Sequence, residues 1–218
     1  MAERLEAKHK GGVYLAARKV EYAADADEVE LCYERGWSDG LPVTPPTDAR
    51  VLRMLKVTAR KADEVIGHIP PYLAPCTIEK VAINAVMAGC RPEYMPVLLA
   101  ALEAALESVF TLHGVLATTY FSGPVIIVNG PIAREIGMNC GINALGHGIR
   151  ANMTIGRALN LIVRNVGGGK PGEADRATLG APSKVGLCFA EDESDSDWQP
   201  LSVARGFNPG ISTVTLFQ

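Results

Sequence analysis

Between positions 36 and 47 the chain reads Gly36-Trp37-Ser38-Asp39-Gly40-Leu41-Pro42-Val43-Thr44-Pro45-Pro46-Thr47. Two glycines and three prolines in this stretch exclude regular structure, because proline fixes φ and removes a backbone donor. A second breaker run follows at His68-Ile69-Pro70-Pro71-Tyr72-Leu73-Ala74-Pro75, and a third at Gly167-Gly168-Gly169. The elements between these breaks must therefore be short, and ordered loops must join them. Ala26–Arg35 has helix-forming composition and stops at Gly36. Thr47 is placed to cap a helix from Asp48 to about Ala59. Thr77 is placed to cap another, in which Ile78, Val81, Ala82, Ala85 and Val86 recur at helical spacing until Gly89 ends it. Pro92 or Pro96 opens a helix over 97–108.

The second half changes character. Val115–Tyr120 and Val125–Asn129 are β-rich and predict strands, and Asn129-Gly130-Pro131 starts a short helix through Glu135. A Gly/Asn-rich loop, Gly137–Gly148, feeds a long helix from about Ala151 to Val166, closed by the triple glycine. Val185–Ala190 and Thr213–Phe217 predict two further strands, with an acidic loop at Glu191–Asp197 between them. A helix-rich first half, followed by strands and one long helix, predicts a mixed α/β or α+β fold. Residues 1–25 read as a polar arm and 26–218 as one globular domain.

A chain of 218 residues, 48% hydrophobic and 21% charged, can bury a core without disulfides or a structural metal. A net charge of −3 with scattered Lys and Arg argues against a nucleic-acid surface. Charged Met1–Lys10 does not resemble a signal peptide, and no apolar run approaches membrane-spanning length. The five cysteines, Cys32, Cys76, Cys90, Cys140 and Cys188, are odd in number and form no Cys-x-x-Cys pair. These features lead us to expect a soluble cytoplasmic protein with free thiols, bound to neither membrane nor nucleic acid.

The loop before the long helix is the foremost candidate site. Asn139, Cys140, Asn143, Gly146, Gly148, Arg150, Asn152 and Arg157 crowd around a helix start, where free N–H groups and a partial positive charge favour anions. His147 sits there between two glycines and is a candidate acid or base. Gly146-x-Gly148-x-x-Ala151 has dinucleotide-fingerprint spacing but lacks the preceding strand, so no cofactor is identified. The bland alternative is a tight turn whose Asn residues cap and turn the backbone. Gly167-Gly168-Gly169-Lys170 follows its helix rather than preceding it, which makes it a helix cap and not a phosphate loop.

Among the thiols, Cys76 stands just ahead of a predicted helix start, where the dipole favours thiolate. Glu79 and Lys80 share that first turn, and Asn84 lies two turns along. An ordinary buried Cys is the competing reading. Cys90, beside Arg91, is a second candidate nucleophile. Asp39 is a candidate base or ligand anchor, against an Asx-turn role. His68, His113 and His147 have no metal-ligand spacing, so no metal site is assigned. The acidic run at 191–197 reads as a solvated loop.

Several segments together resemble a known group. They are Gly36–Pro42 with Pro45-Pro46-Thr47, Val86-Met87-Ala88-Gly89-Cys90-Arg91-Pro92-Glu93-Tyr94, Arg150-Ala151-Asn152, Thr154-Ile155-Gly156-Arg157-Ala158, Arg164-Asn165-Val166-Gly167-Gly168 and Cys188-Phe189-Ala190-Glu191. Over residues 28–218 they resemble bacterial proteins associated with the UGSC family, whose members carry a selenocysteine- or cysteine-Gly-Ser-Cys motif. This chain has no Cys-Gly-Ser-Cys. The resemblance therefore implies a partner chain bearing the redox motif, with the present chain supplying a substrate pocket.

Three functions stay open at this point. The first is an enzyme or enzyme subunit acting on a small anionic or carbonyl substrate, thiol- or redox-linked and completed by that partner or by a second copy. The second is a metal-dependent lyase or hydrolase assembled from distant loops. The third is a non-catalytic scaffold whose loops pack against a partner.

Overall fold

In the computed structural model, which describes residues 13–218, each breaker run separates one short element from the next. Among the described residues eight α-helices and two small sheets form a mixed α/β fold. Helix α1 covers Glu28–Glu34 and α2 Asp48–Leu55. Strands β1 (Val65–Ile69) and β2 (Ala74–Thr77) form an antiparallel hairpin that leads directly into α3 (Ile78–Ala88). Helices α4 (Met95–Leu106) and α5 (Leu112–Ala117) follow, then β3 (Val125–Asn129) and α6 (Pro131–Glu135). The long helix α7 spans Arg150–Asn165, and β4 (Leu187–Ala190), α8 (Leu201–Ala204) and β5 (Thr213–Phe217) complete the chain.

The second sheet has the order β4-β3-β5, with β3 parallel to β4 and antiparallel to β5. One face carries Ile126, Val128, Cys188, Ala190, Val214 and Leu216 into the core, as the period of two along each strand requires. Helix α7 packs on β4, α4 packs on β5, and α3 lies along α7. Contact between α7 and β4 is close because both carry glycine there. A Cβ on Gly156 would stand 2.6 Å from the Leu187 amide nitrogen, and one on Gly186 would stand 2.3 Å from that of Arg157.

Helix α3 is enclosed on nearly every side. Its buried residues include Val81, Ala82, Ala85, Val86 and Met87, together with the polar Glu79 and Asn84. Buried polar groups on an otherwise apolar helix require partners, and these two direct attention to the site. Thr77 caps the helix through its side chain and Gly89 ends it with φ +90°.

Three regions depart from the sequence expectations. Thr47 precedes α2 but its side chain makes no capping hydrogen bond, and the helix stops at Leu55 rather than near Ala59. The predicted strand at 115–120 is instead occupied by α5, whose Leu112, Val115 and Leu116 are buried at helical spacing. The run at 68–75 is not a loop but holds the β1–β2 hairpin. Pro70 and Pro71 sit in its turn, and Pro75 lies in a two-stranded sheet, where every strand is an edge that tolerates a missing donor. The triple glycine does end α7, with φ +77° at Gly168. It also admits the hairpin turn, since a Cβ on Gly167 would stand 2.2 Å from the Pro70 carbonyl oxygen. No single helix among the described residues is long and apolar enough to cross a membrane.

Candidate functional site

The polar residues of α3 open onto a cavity of about 580 Å³. Its walls come from residues 15–22, α1, the 37–47 loop, α2, α3 and the C-terminal end of α7. Part of the expected N-terminal arm, residues 1–12, lies outside the described residues. Residues 13–22 run without helix or strand along the cavity edge, anchored by buried Leu15. Both carboxylate oxygens of Glu79 accept from this segment: Oε2 from the Ala16 N–H and Oε1 from the Ala17 N–H, each at 3.0 Å. Glu79 is buried in the first turn of α3, where the helix dipole also favours its charge.

Deeper along the same wall the amides form a chain. Asn84 donates from Nδ2 to the Lys80 carbonyl at 2.9 Å, which turns its Oδ1 toward α7. Asn165 donates from Nδ2 to that oxygen at 2.8 Å and to the Trp37 carbonyl at 3.0 Å. Both acceptors call for an NH2 group, so the orientation of Asn165 is set, and its Oδ1 is left dry and without a partner. The Thr44 N–H donates to the Met87 carbonyl at 3.1 Å and ties the Pro-rich loop to α3. Trp37, Ile83 and Met87 supply apolar wall.

Asp39 and Arg157 meet, but they satisfy one another. Arg157 donates from Nε and from one terminal NH2, at 2.7 Å each, to the two oxygens of Asp39. It also donates to the Leu41 and Pro42 carbonyls, at 3.2 and 3.0 Å. Burial works to raise the Asp39 carboxyl, yet the Arg157 hydrogen bonds and charge outweigh it and hold it below the ordinary value. The pair is a clamp that fixes the 36–42 loop on α7. Asp39 is thereby one half of an ion pair, and Arg157 spends Nε and one terminal NH2 on this loop.

Four of the five thiols are buried. Cys76 is fully buried, and burial pushes its thiol up to about 12 against the opposing charge of Lys80, the reverse of the lowering expected from its place ahead of a helix. Cys90 is pushed up to about 12 by burial, and its Sγ lies 3.4 Å from the Thr154 carbonyl oxygen. Burial raises Cys188 and Cys32 as well. Of the five thiols only Cys140 is exposed.

The loop from 137 to 149 uses most of its polar groups on itself. Buried Asn152 accepts from the Asn139 N–H and donates to the Asn139 and Ala144 carbonyls. Asn139 bonds Gly141 and Ile142, and Asn143, at φ +63°, donates to the His147 carbonyl. The Gly146 N–H returns to Asn143, and Gly148 turns the chain at φ +112°. Arg150 donates from Nε to the Gly89 carbonyl at 2.7 Å. These are the capping and turn roles short amides favour. His147, His68 and His113 are all exposed, and among the described residues no three His, Cys, Asp or Glu side chains converge as metal ligands.

The sequence reading pointed to the loop at the start of α7, whereas the cavity lies against the other end of that helix. Glu79, Asn84, Asn165, Trp37 and the arm make the cavity. Its one visible signal was the presence of Glu79, Lys80 and Asn84 in a mostly apolar helix. No family model, curated protein or solved structure matches the chain.

Proposed function

We propose that this chain binds a small carbonyl compound bearing an N–H or O–H donor in the cavity beside residues 15–22, as the substrate pocket of an enzyme subunit. The observation that carries this reading is the buried Glu79–Asn84–Asn165 wall of a cavity of about 580 Å³. That volume lies in the range of small-ligand sites, where a few fixed polar groups orient an otherwise apolar guest. Asn165 Oδ1 is unpartnered and closed to water, so a donor on the ligand would satisfy it only once the side chain turns toward the cavity. Glu79 is the carboxylate nearest to general-base duty, though its oxygens now hold the arm. The buried thiols supply no ready nucleophile, so a reacting group from another chain fits this pocket. That chain would be a second copy or a UGSC-type partner.

The test is thermal melting of the full chain with acetamide, glycolamide and hydroxyacetone as probes. At a probe concentration of 100 times Kd, binding stabilises by about 2.7 kcal/mol, which for a chain of this length raises Tm by roughly 5–10 °C. Ile83→Trp, which fills the cavity, and Asn165→Ala, which removes the amide, should each abolish that rise. A Tm unmoved by all three probes overturns the reading, as does a rise that both variants retain.

A further inference from the structure

A second cavity, of about 600 Å³, opens where α5, the 118–123 connection into β3 and the 181–183 turn meet. It shares no residue with the cavity beside residues 15–22. Local bonds fix its walls. The Tyr120 N–H donates to Thr118 Oγ1 at 3.0 Å, and the Thr119 carbonyl accepts from the N–H and the hydroxyl of Thr178, at 2.9 and 3.2 Å. Asn160 of α7 donates from Nδ2 to the Ser183 carbonyl at 3.0 Å and holds the 181–183 turn. The connection can lie against that turn because residue 123 is glycine. A Cβ there would stand 2.9 Å from Ser183 Oγ and 3.1 Å from the Lys184 amide nitrogen.

The lining is uncharged: among the described residues no Asp, Glu, Lys, Arg or His side chain faces this cavity. Tyr120 and Phe121 stack with ring centroids 4.3 Å apart, yet stay 60% and 43% exposed. Buried Val115 and Val125 add apolar wall. Ser183 supplies a fixed polar group. It is only 8% exposed, and among the described residues its hydroxyl makes no hydrogen bond, while the residue lines the cavity. A serine hydroxyl both donates and accepts, so a hydroxyl on a ligand matches it in either sense. Exposed aromatic faces take a ring in stacked or edge contact. A charged guest would lose water with no counter-charge to meet it. We propose that this cavity binds a neutral ring compound carrying a hydroxyl group, a phenol or a sugar. The ring lies against Tyr120 and Phe121, and the hydroxyl bonds Ser183 Oγ. Because Asn160 already pins the Ser183 backbone, little ordering remains to offset that contact. The site stands independently of the carbonyl-binding reading.

The experiment is heteronuclear NMR titration of the full chain with phenol and with methyl glucoside. At least one produces saturable shifts in the amide signals of residues 118–123 and 183, and the tighter binder tells whether the ring is aromatic or saturated. Gly114→Phe abolishes those shifts. Gly114 lines the cavity from the exposed side of α5, where a Cβ would meet nothing closer than 3.9 Å, so the new ring fills the space without disturbing the core. Ser183→Ala weakens binding roughly three- to tenfold, the loss of one neutral hydrogen bond, and Tyr120→Ala weakens it as well. Should Ser183→Ala fail to fold, the other two variants decide. The proposal is overturned if neither compound binds the wild-type chain, if the shifts fall elsewhere, or if the variants that fold bind as tightly as wild type.

Discussion

In the loop at 36–47, Asp39 and the Trp37 carbonyl reach across to α7, while in the loop at 137–149, Asn139 and Asn143 bond the turns they sit in. Both segments are rich in glycine and polar side chains, and both flank the same helix. The first uses its polar groups to fix one element on another and borders a cavity. The second is closed on itself. A polar loop is available to a ligand only when its groups are not already satisfied by its own backbone. Composition does not report that difference.

The comparison is broken most severely at the clamp. Arg157→Ala leaves the Asp39 carboxylate largely buried and unpaired, a loss of about 3 kcal/mol, readable as a lower urea midpoint. The pH dependence has a definite sign. Because the folded Asp39 carboxyl lies below its ordinary value, the stability it contributes is complete above the ordinary Asp pKa of about 3.9. That contribution is lost as pH falls through the lower folded value. Arg157→Ala should lack this acid-side dependence; an unchanged midpoint and an unchanged acid limb would show that the loop is held by something else.

Asn152→Ala comes next. It removes three hydrogen bonds from the 137–149 loop and costs about 2 kcal/mol. Amide exchange should accelerate across 139–148 and remain slow in α3. Acceleration that spreads into the cavity wall would mean that the two regions are coupled.

The smallest effects belong to the exposed residues once favoured for chemistry. His147→Ala should change stability by less than about 0.5 kcal/mol. In the native chain a maleimide should modify Cys140 well before Cys76, Cys90 or Cys188, as mass mapping of the labelled peptides would show. Rapid labelling of Cys76 would restore it as a candidate nucleophile.

Much of the fold was legible because its signals are local. Thr77 and Gly89 bracket α3 through a cap and a left-handed residue, both readable from residue type. Pro131, Gly167–Gly169 and the apolar runs of β3 and β5 were equally plain. The errors have physical causes. Val115–Tyr120 is β-branched and aromatic enough to suggest a strand, yet the burial of Leu112, Val115 and Leu116 made part of it a helix. Cys76 has the sequence position of an activated thiol, but burial of its sulfur raises the thiol instead. The cavity was nearly invisible, because its members come from six separated segments.

What the sequence determined by itself was the punctuation: where helices start and stop, the mixed α/β class, and which loops could not be regular structure. Caps, prolines and periodicity act over a few residues, so a linear reading captures them. Tertiary structure decided which polar groups were left over. Asp39 became half of a clamp when Arg157 arrived from 118 residues away. Asn165 became cavity wall on meeting Asn84 from 81 residues away. Arg164, one position before it, found no partner for its Nε. Whether a side chain is satisfied depends on what folding brings within about 3 Å of it, and residues distant in sequence supply that environment.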